Sequence, residues 1–222
     1  MTSRNTSTTG QGTDLYDFGL TGFAKYFGLP ERHDQASTLA LAARLGERYG
    51  PWLSNWLLAD VRLLLDSPLP DETLRTLWLG AAEARFDPAG EGTGIRDWLE
   101  QLADVAGACR DRTFRISGEP ADAGLREAVL AELDGVGPAL AEAVVTSGYA
   151  APLPDLVPAL RRVVVEVDPD LGFRLLLRAL KAYFMPISEV RYQRLLTLGE
   201  RFGYHELAVD DGNLNTWPDL VD

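Results

Sequence analysis

The chain has 222 residues, 33 acidic against 21 basic, a formal net charge of −12, and 46% apolar side chains. Such a surface repels phosphate backbones and anionic lipid, so nucleic acid and membrane are disfavoured as partners and a basic protein is the expected one. The single cysteine, Cys109, excludes an intrachain disulfide, and no apolar run reaches membrane-spanning length: the most apolar segment, 52–65, is interrupted by Asn55, Asp60 and Arg62.

Residues 1–13 are rich in Ser, Thr and Gly with no apolar stretch, and read as a disordered tail rather than a signal peptide. A cytoplasmic setting follows as the expectation. Lys25 and Lys181 are the only lysines, the remaining basic residues being arginines, a bias that suggests a GC-rich bacterial genome.

From residue 14 to 204 helical periodicity dominates, and one all-helical domain is expected. The first helix predicted runs over 37–49, with Leu39, Leu41, Ala42 and Leu45 on one side and Asp34 or Ser37 as its cap. The next, 51–66, starts at Pro51; its Asn55, Ala59, Arg62 and Asp66 form a narrow polar stripe, while Trp52 and Trp56, one turn apart, share a face expected to be buried. Pro70-Asp71-Glu72 opens a helix through Phe86, since proline suits the first turn and acids suit the dipole there. Asp87 to Gly94 reads as a flexible glycine-rich loop, followed by a helix over 95–108 and a short extended link over 113–117. Further helices are predicted over 125–133, 139–146, 155–167, 173–184 and 188–202. Val163-Val164-Val165 is β-branched, but the spacing of Leu156, Leu160, Val163, Val164 and Val167 favours a helix.

Four turn signals recur in the same order in the two halves. Gly50-Pro51 matches Gly137-Pro138, and Pro68-Leu69-Pro70-Asp71 matches Pro152-Leu153-Pro154-Asp155. Asp87-Pro88 matches Asp168-Pro169, and Gly94-Ile95-Arg96 matches Gly172-Phe173-Arg174. Stacked helical units punctuated this way bury a continuous core. The expectation is therefore an all-α multi-helix bundle or short helical-repeat solenoid, built by duplication of a roughly four-helix unit at about 37–110 and 124–186.

Leu133-Asp134-Gly135-Val136-Gly137-Pro138, with Ala141 and Val144, resembles a helix-hairpin-helix motif, which implies a tight corner whose amides bind phosphate. The acids around it, Glu127, Glu132, Asp134 and Glu142 against Arg126 alone, oppose phosphate contact. Asp211, Asn213 and Asn215, followed by Asp219 and Asp222, resemble an EF-hand calcium loop in spacing. Thr216 stands where the turn glycine belongs and Pro218 lies inside the loop, so a solvated acidic tail over 205–222 is the simpler reading.

Neither histidine, His33 or His205, forms a metal-ligand spacing with Cys109, and no nucleophile or phosphate-loop motif is present. No catalytic residue, metal site or cofactor is therefore assigned. The leading reading is an acidic protein-binding module, of the kind that neutralises a basic partner as an immunity protein or antitoxin does. Its candidate contact residues are Glu206, Asp210, Asp211, Trp217 and Asp219, because no basic residue follows Arg201. The alternative is a small helical enzyme with a cleft between the repeats, drawing on His33, Asp60, Arg62 or His205; nucleic-acid binding is the third.

Overall fold

The computed structural model describes residues 17–28, 33–111, 113, 123–146 and 152–221. The N-terminal stretch 1–13, most of the link expected over 113–117, and Asp222 lie outside the described residues. Ten α-helices are found among the described residues: α1 (Gly19–Ala24), α2 (Gln35–Tyr49), α3 (Pro51–Leu65), α4 (Asp71–Ala81), α5 (Ile95–Ala108), α6 (Ala123–Thr146), α7 (Leu156–Arg162), α8 (Pro169–Ala182), α9 (Glu189–Arg201) and α10 (Glu206–Val209). One small parallel sheet pairs β1 (Pro186–Ser188) with β2 (Asn215–Trp217), Ile187 opposite Thr216. The molecule is an all-α multi-helix bundle, and none of the described helices is long and apolar enough to cross a membrane.

Local chemistry places the helix starts. The Asp34 carboxylate accepts the Ser37 N–H while the Ser37 hydroxyl accepts the Asp34 N–H, a capping box for α2. Asp168 caps α8 through the Leu171 N–H at 2.8 Å, with Pro169 at the first helical position. The valine run continues α7 as a π-helical turn over Val163–Val167, helical as its spacing predicts. The 87–94 loop is tied down rather than free. Asp87 caps a 3-10 turn over Pro88–Glu91, the Glu91 carboxylate accepts the Gln35 N–H at 3.0 Å, and Thr93 donates to the Gln35 side chain at 2.6 Å.

Helices α2, α3 and α5 pack together, α6 packs on α7, α8 and α9, and α4 joins the two groups through α7 and α8. Between them lies α1, all six residues buried, in contact with α3, α4 and α8. This helix has no counterpart in the sequence prediction. Six residues containing two glycines are too short to show a period.

Gly19 sits at φ +63°, and a Cβ there would lie 1.9 Å from Asp60 Oδ2. The absence of that atom lets the Asp60 carboxylate reach the first turn of α1, where it accepts the Leu20 N–H at 2.8 Å. Asp60, on α3, is 1% exposed, and Arg174 of α8 grips both its oxygens at 2.6 Å. The guanidinium also donates to Asp170 at 3.0 Å and lies 4.7 Å above the Phe18 ring. One carboxylate thus binds three segments that are far apart in sequence. Beneath α1, Trp78 lies 4.2 Å from Trp98 and 5.1 Å from Phe27, and its indole N–H donates to the Phe86 carbonyl at 2.9 Å.

Three expectations are corrected. First, Gly137-Pro138 makes no corner: α6 is continuous from Ala123 to Thr146 with Pro138 inside it. Proline removes the bond to the Asp134 carbonyl, but Asp134, Gly135 and Pro138 are all exposed, so the lost bond does not fall in the core. The hairpin needed for phosphate binding is therefore absent. Second, the recurring turns correspond only in part. Pro70 and Pro154 both precede helices, and Asp87 and Asp168 both cap turns opened by proline. Gly94, however, is an N-cap while Gly172 lies mid-helix. Third, Trp52 and Trp56 share a face against Phe18, with centroids 6.1 and 4.8 Å away, but both are only half-buried. Leu53, Leu57, Val61 and Leu64 take the core side of α3.

Gly19→Ala tests the close approach at Asp60. It is expected to lower the unfolding free energy by about 3–5 kcal/mol, as breaking a buried ion pair does. Gly92→Ala, at φ +77° with open space around the added methyl, isolates backbone strain and should cost only about 1–2 kcal/mol. Denaturant melts of both variants give the comparison; equal losses would show that the carboxylate contact contributes nothing.

Candidate functional site

The five residues singled out at the acidic end divide into two that hold the segment and three that face solvent. Asp211 is the chief anchor. Its side chain is 2% exposed and meets both lysines of the chain: Lys25, just beyond α1, donates to Oδ2, and Lys181, in the last turn of α8, lies 3.1 Å from Oδ1. Burial alone would raise this carboxyl; the hydrogen bonds from Lys25 and Asn213 and the Lys181 charge hold it well below the usual carboxylate range. Asp210 organises the following turn, its Oδ1 accepting the N–H groups of Gly212, Asn213 and Leu214 at 2.8 to 3.1 Å. Val209 and Leu214 are buried, and β2 pairs with β1.

The expectation of a solvated tail is thereby corrected: 205–221 is folded onto the bundle. A calcium loop is likewise opposed, because the first carboxylate of the EF-hand-like spacing is already neutralised by two ammonium groups.

Glu206, Trp217 and Asp219 are exposed. Five of the eight exposed large apolar side chains among the described residues are Phe184, Val190, Trp217, Leu220 and Val221, so the apolar surface concentrates at this corner. The sheet explains their convergence. Phe184 lies two residues before β1, Val190 follows it in the first turn of α9, and Ser188 faces Trp217 in register.

Asn215 ties the two aromatic residues together. Its amide donates to the Phe184 carbonyl at 2.9 Å, and its side-chain oxygen accepts the Trp217 indole N–H at 2.8 Å. With its N–H satisfied, Trp217, 56% exposed, offers an apolar ring face to solvent.

The surrounding field is negative. Burial first, then the charge and hydrogen bond of Asp210 and the charges of Glu206 and Glu189, push the Tyr192 phenol above its ordinary value. Backbone pairing is not what the corner offers. Thr216 N–H turns back to the Leu214 carbonyl, the Trp217 carbonyl accepts Leu220 N–H, and Pro218 has no N–H. What the corner presents to solvent is side chains.

The exposure of Phe184 was not legible in the sequence. The helix predicted over 173–184 ends on it, and nothing in the sequence distinguishes a terminal core phenylalanine from an exposed one.

The four residues of the enzyme alternative are not brought together. Asp60 is committed to Arg174, and His33 packs against Phe27 at 4.6 Å. Arg62 lines a shallow surface hollow with Asp104 and Arg110, and His205 caps α10 through Nδ1, which accepts the Leu207 N–H at 3.2 Å. No known family, curated protein or solved structure matches this chain.

Asp211→Asn leaves two ammonium groups without a counter-charge, one of them on the 5%-exposed Lys181 side chain. The variant should lose about 2–4 kcal/mol, less than a fully buried pair because the Lys25 side chain is 42% exposed. The native carboxyl lies below its unfolded value. Its stabilisation is therefore complete above about pH 4 and is lost as pH falls through the native value. Melts from neutral to strongly acidic pH should show an acid-dependent loss in the wild type that is smaller in the variant; identical pH profiles would remove the clasp from the account.

Proposed function

We propose that this chain is an acidic helical protein-binding module that engages a basic partner through the corner formed by Phe184, Trp217, Glu206 and Asp219. The observation that carries the reading is an exposed indole held in place by Asn215 within a negatively charged rim, on a segment anchored by Asp211. Rigid aromatic side chains with little conformational freedom to lose are the usual energetic centres of interfaces, and surrounding charges steer association. An immunity- or antitoxin-like role, in a cytoplasmic setting, fits a partner of this chemistry. That part of the proposal rests on charge and on the free Cys109, not on any relative.

Two groups of substitutions separate steering from anchoring. Glu206→Gln with Asp219→Asn should slow association about 3- to 10-fold with little change in dissociation, and Trp217→Ala should speed dissociation by tenfold or more. Protein captured from cells of the source organism, identified by mass spectrometry and then purified for kinetics, supplies the partner. Recovery of the same proteins in equal yield with wild type, the double charge variant and Trp217→Ala would exclude this corner as the interface.

A further inference from the structure

Three helices of this bundle end in the same way. After α4, α8 and α9 the chain enters the left-handed region, for two residues after α4, where Ala84 at φ +51° follows Glu83, and for one after α8 and α9; in each case an N–H reaches back to the carbonyl five positions earlier: Ala84 to Leu79, Met185 to Leu180 and Tyr204 to Gly199. The residue at the left-handed position is Glu83 at φ +55°, Phe184 at φ +49° and Gly203 at φ +78°. Glycine adopts this conformation freely, and other residues are strained there.

Gly203 is therefore the ordinary choice. Glu83 is offset by a specific contact, its carboxylate accepting from Arg178 Nη2 at 2.7 Å while Arg178 Nε donates to the Ala81 carbonyl at 2.8 Å. Phe184 has no such return. The residue is 67% exposed, so the ring adds little to the core. A strained backbone carrying an exposed phenyl ring is a local rule broken without a folding gain, and such positions concentrate at functional sites.

Resting on the reading that this corner binds a basic protein, we propose that Phe184 is its second aromatic anchor, and that Phe184 and Trp217 together receive an arginine side chain of the partner. Asn215 bonds to the Phe184 backbone carbonyl and to the Trp217 indole, and so ties the Phe184 turn to the Trp217 ring. Glu189, at the start of α9, and Asp219, two residues after Trp217, supply the negative rim. A guanidinium is the fitting cation. It is planar, weakly hydrated and able to lie on an aromatic face while its edge donates to carboxylates, whereas an ammonium keeps its hydration and lacks the flat face. The ring already lies outside the core in the free protein, so the anchor is presented before the partner arrives.

The test uses the full chain and a short fluorescein-labelled peptide alternating arginine and leucine, with a counterpart in which citrulline replaces arginine. Phe184→Gly should melt about 1–4 °C higher than wild type, because relief of the left-handed strain outweighs the added freedom of the unfolded chain. The same variant should bind the arginine peptide at least tenfold more weakly by fluorescence anisotropy. Phe184→Tyr should keep both the wild-type melting temperature and the affinity. Wild type should lose at least tenfold in affinity for the citrulline peptide.

A Phe184→Gly variant no more stable than wild type would overturn the strain argument. Unchanged peptide affinity in that variant would overturn the contact, and Trp217→Ala measured alongside separates the two levels of the claim. If Trp217→Ala weakens binding while Phe184→Gly does not, the corner is the interface without Phe184. If neither does, or if wild type fails to bind the arginine peptide or binds the citrulline peptide equally well, the cationic-partner reading falls with it.

Discussion

The Asp60 carboxylate is the point through which the bundle is organised. It lies on α3, accepts from the first turn of α1 and is held at both oxygens by Arg174 of α8. Taking two charges out of water costs several kcal/mol per ion, and a packed apolar pair in their place is often as stable. What the ion pair supplies is direction. Apolar contacts leave the rotation and depth of a short helix such as α1 loosely determined, whereas a carboxylate aimed at one N–H admits a single placement. Gly19 makes that placement sterically possible, and Asp170, which accepts from both Arg174 and the Tyr204 hydroxyl, extends the same network toward the C-terminal segment.

The same device recurs at the surface end of the molecule. Asp211 gathers Lys25 from the end of the α1 segment and Lys181 from the end of α8, fixing the C-terminal segment to the two elements that Asp60 and Arg174 already join. The excess of acidic residues therefore has two separate uses. Some carboxylates are buried or clasped and determine where segments sit; others, among them Glu206 and Asp219, remain in solvent and shape the field around Trp217 and Phe184. A charge of −12 read from composition alone merges these groups, and only the first is insensitive to salt.

Much of the helical layout was legible because it depends on local chemistry. Periodicity located most of the helices, and Asp34, Pro51 and Asp71 marked starts that the structure uses, while Asp168-Pro169, read as a turn before a helix at 173, opens α8 four residues earlier. The failures share a physical cause. Pro138 reads as a break, yet it falls on an exposed face of α6, where the lost backbone bond lies outside the core and the helix passes through it. Asp60 reads as part of an interruption in an apolar helix because its partner is 114 residues away. Asp211 reads as a tail acid because Lys25 lies 186 positions upstream. Trp217 became a candidate from its place in an acidic, base-free stretch, and the structure leaves it exposed. Phe184 did not, since its distinguishing property is a backbone angle and an exposure, neither of which a residue string displays.

The division of carboxylates into structural and interfacial groups is the claim on which fold and function meet, and a salt series on the full chain tests it most directly. Melting temperature and affinity for the arginine–leucine peptide are read on the same samples between about 50 and 500 mM salt. Ion pairs at Asp60 and Asp211 are shielded from the solvent and screened little, while screening relieves the self-repulsion of an acidic chain, so the melting temperature should hold or rise slightly. The peptide contacts exposed charges, so its affinity should fall about tenfold or more over the same range. A melting temperature that falls in step with the affinity would show that the same exposed charges serve both purposes, and would contradict the account.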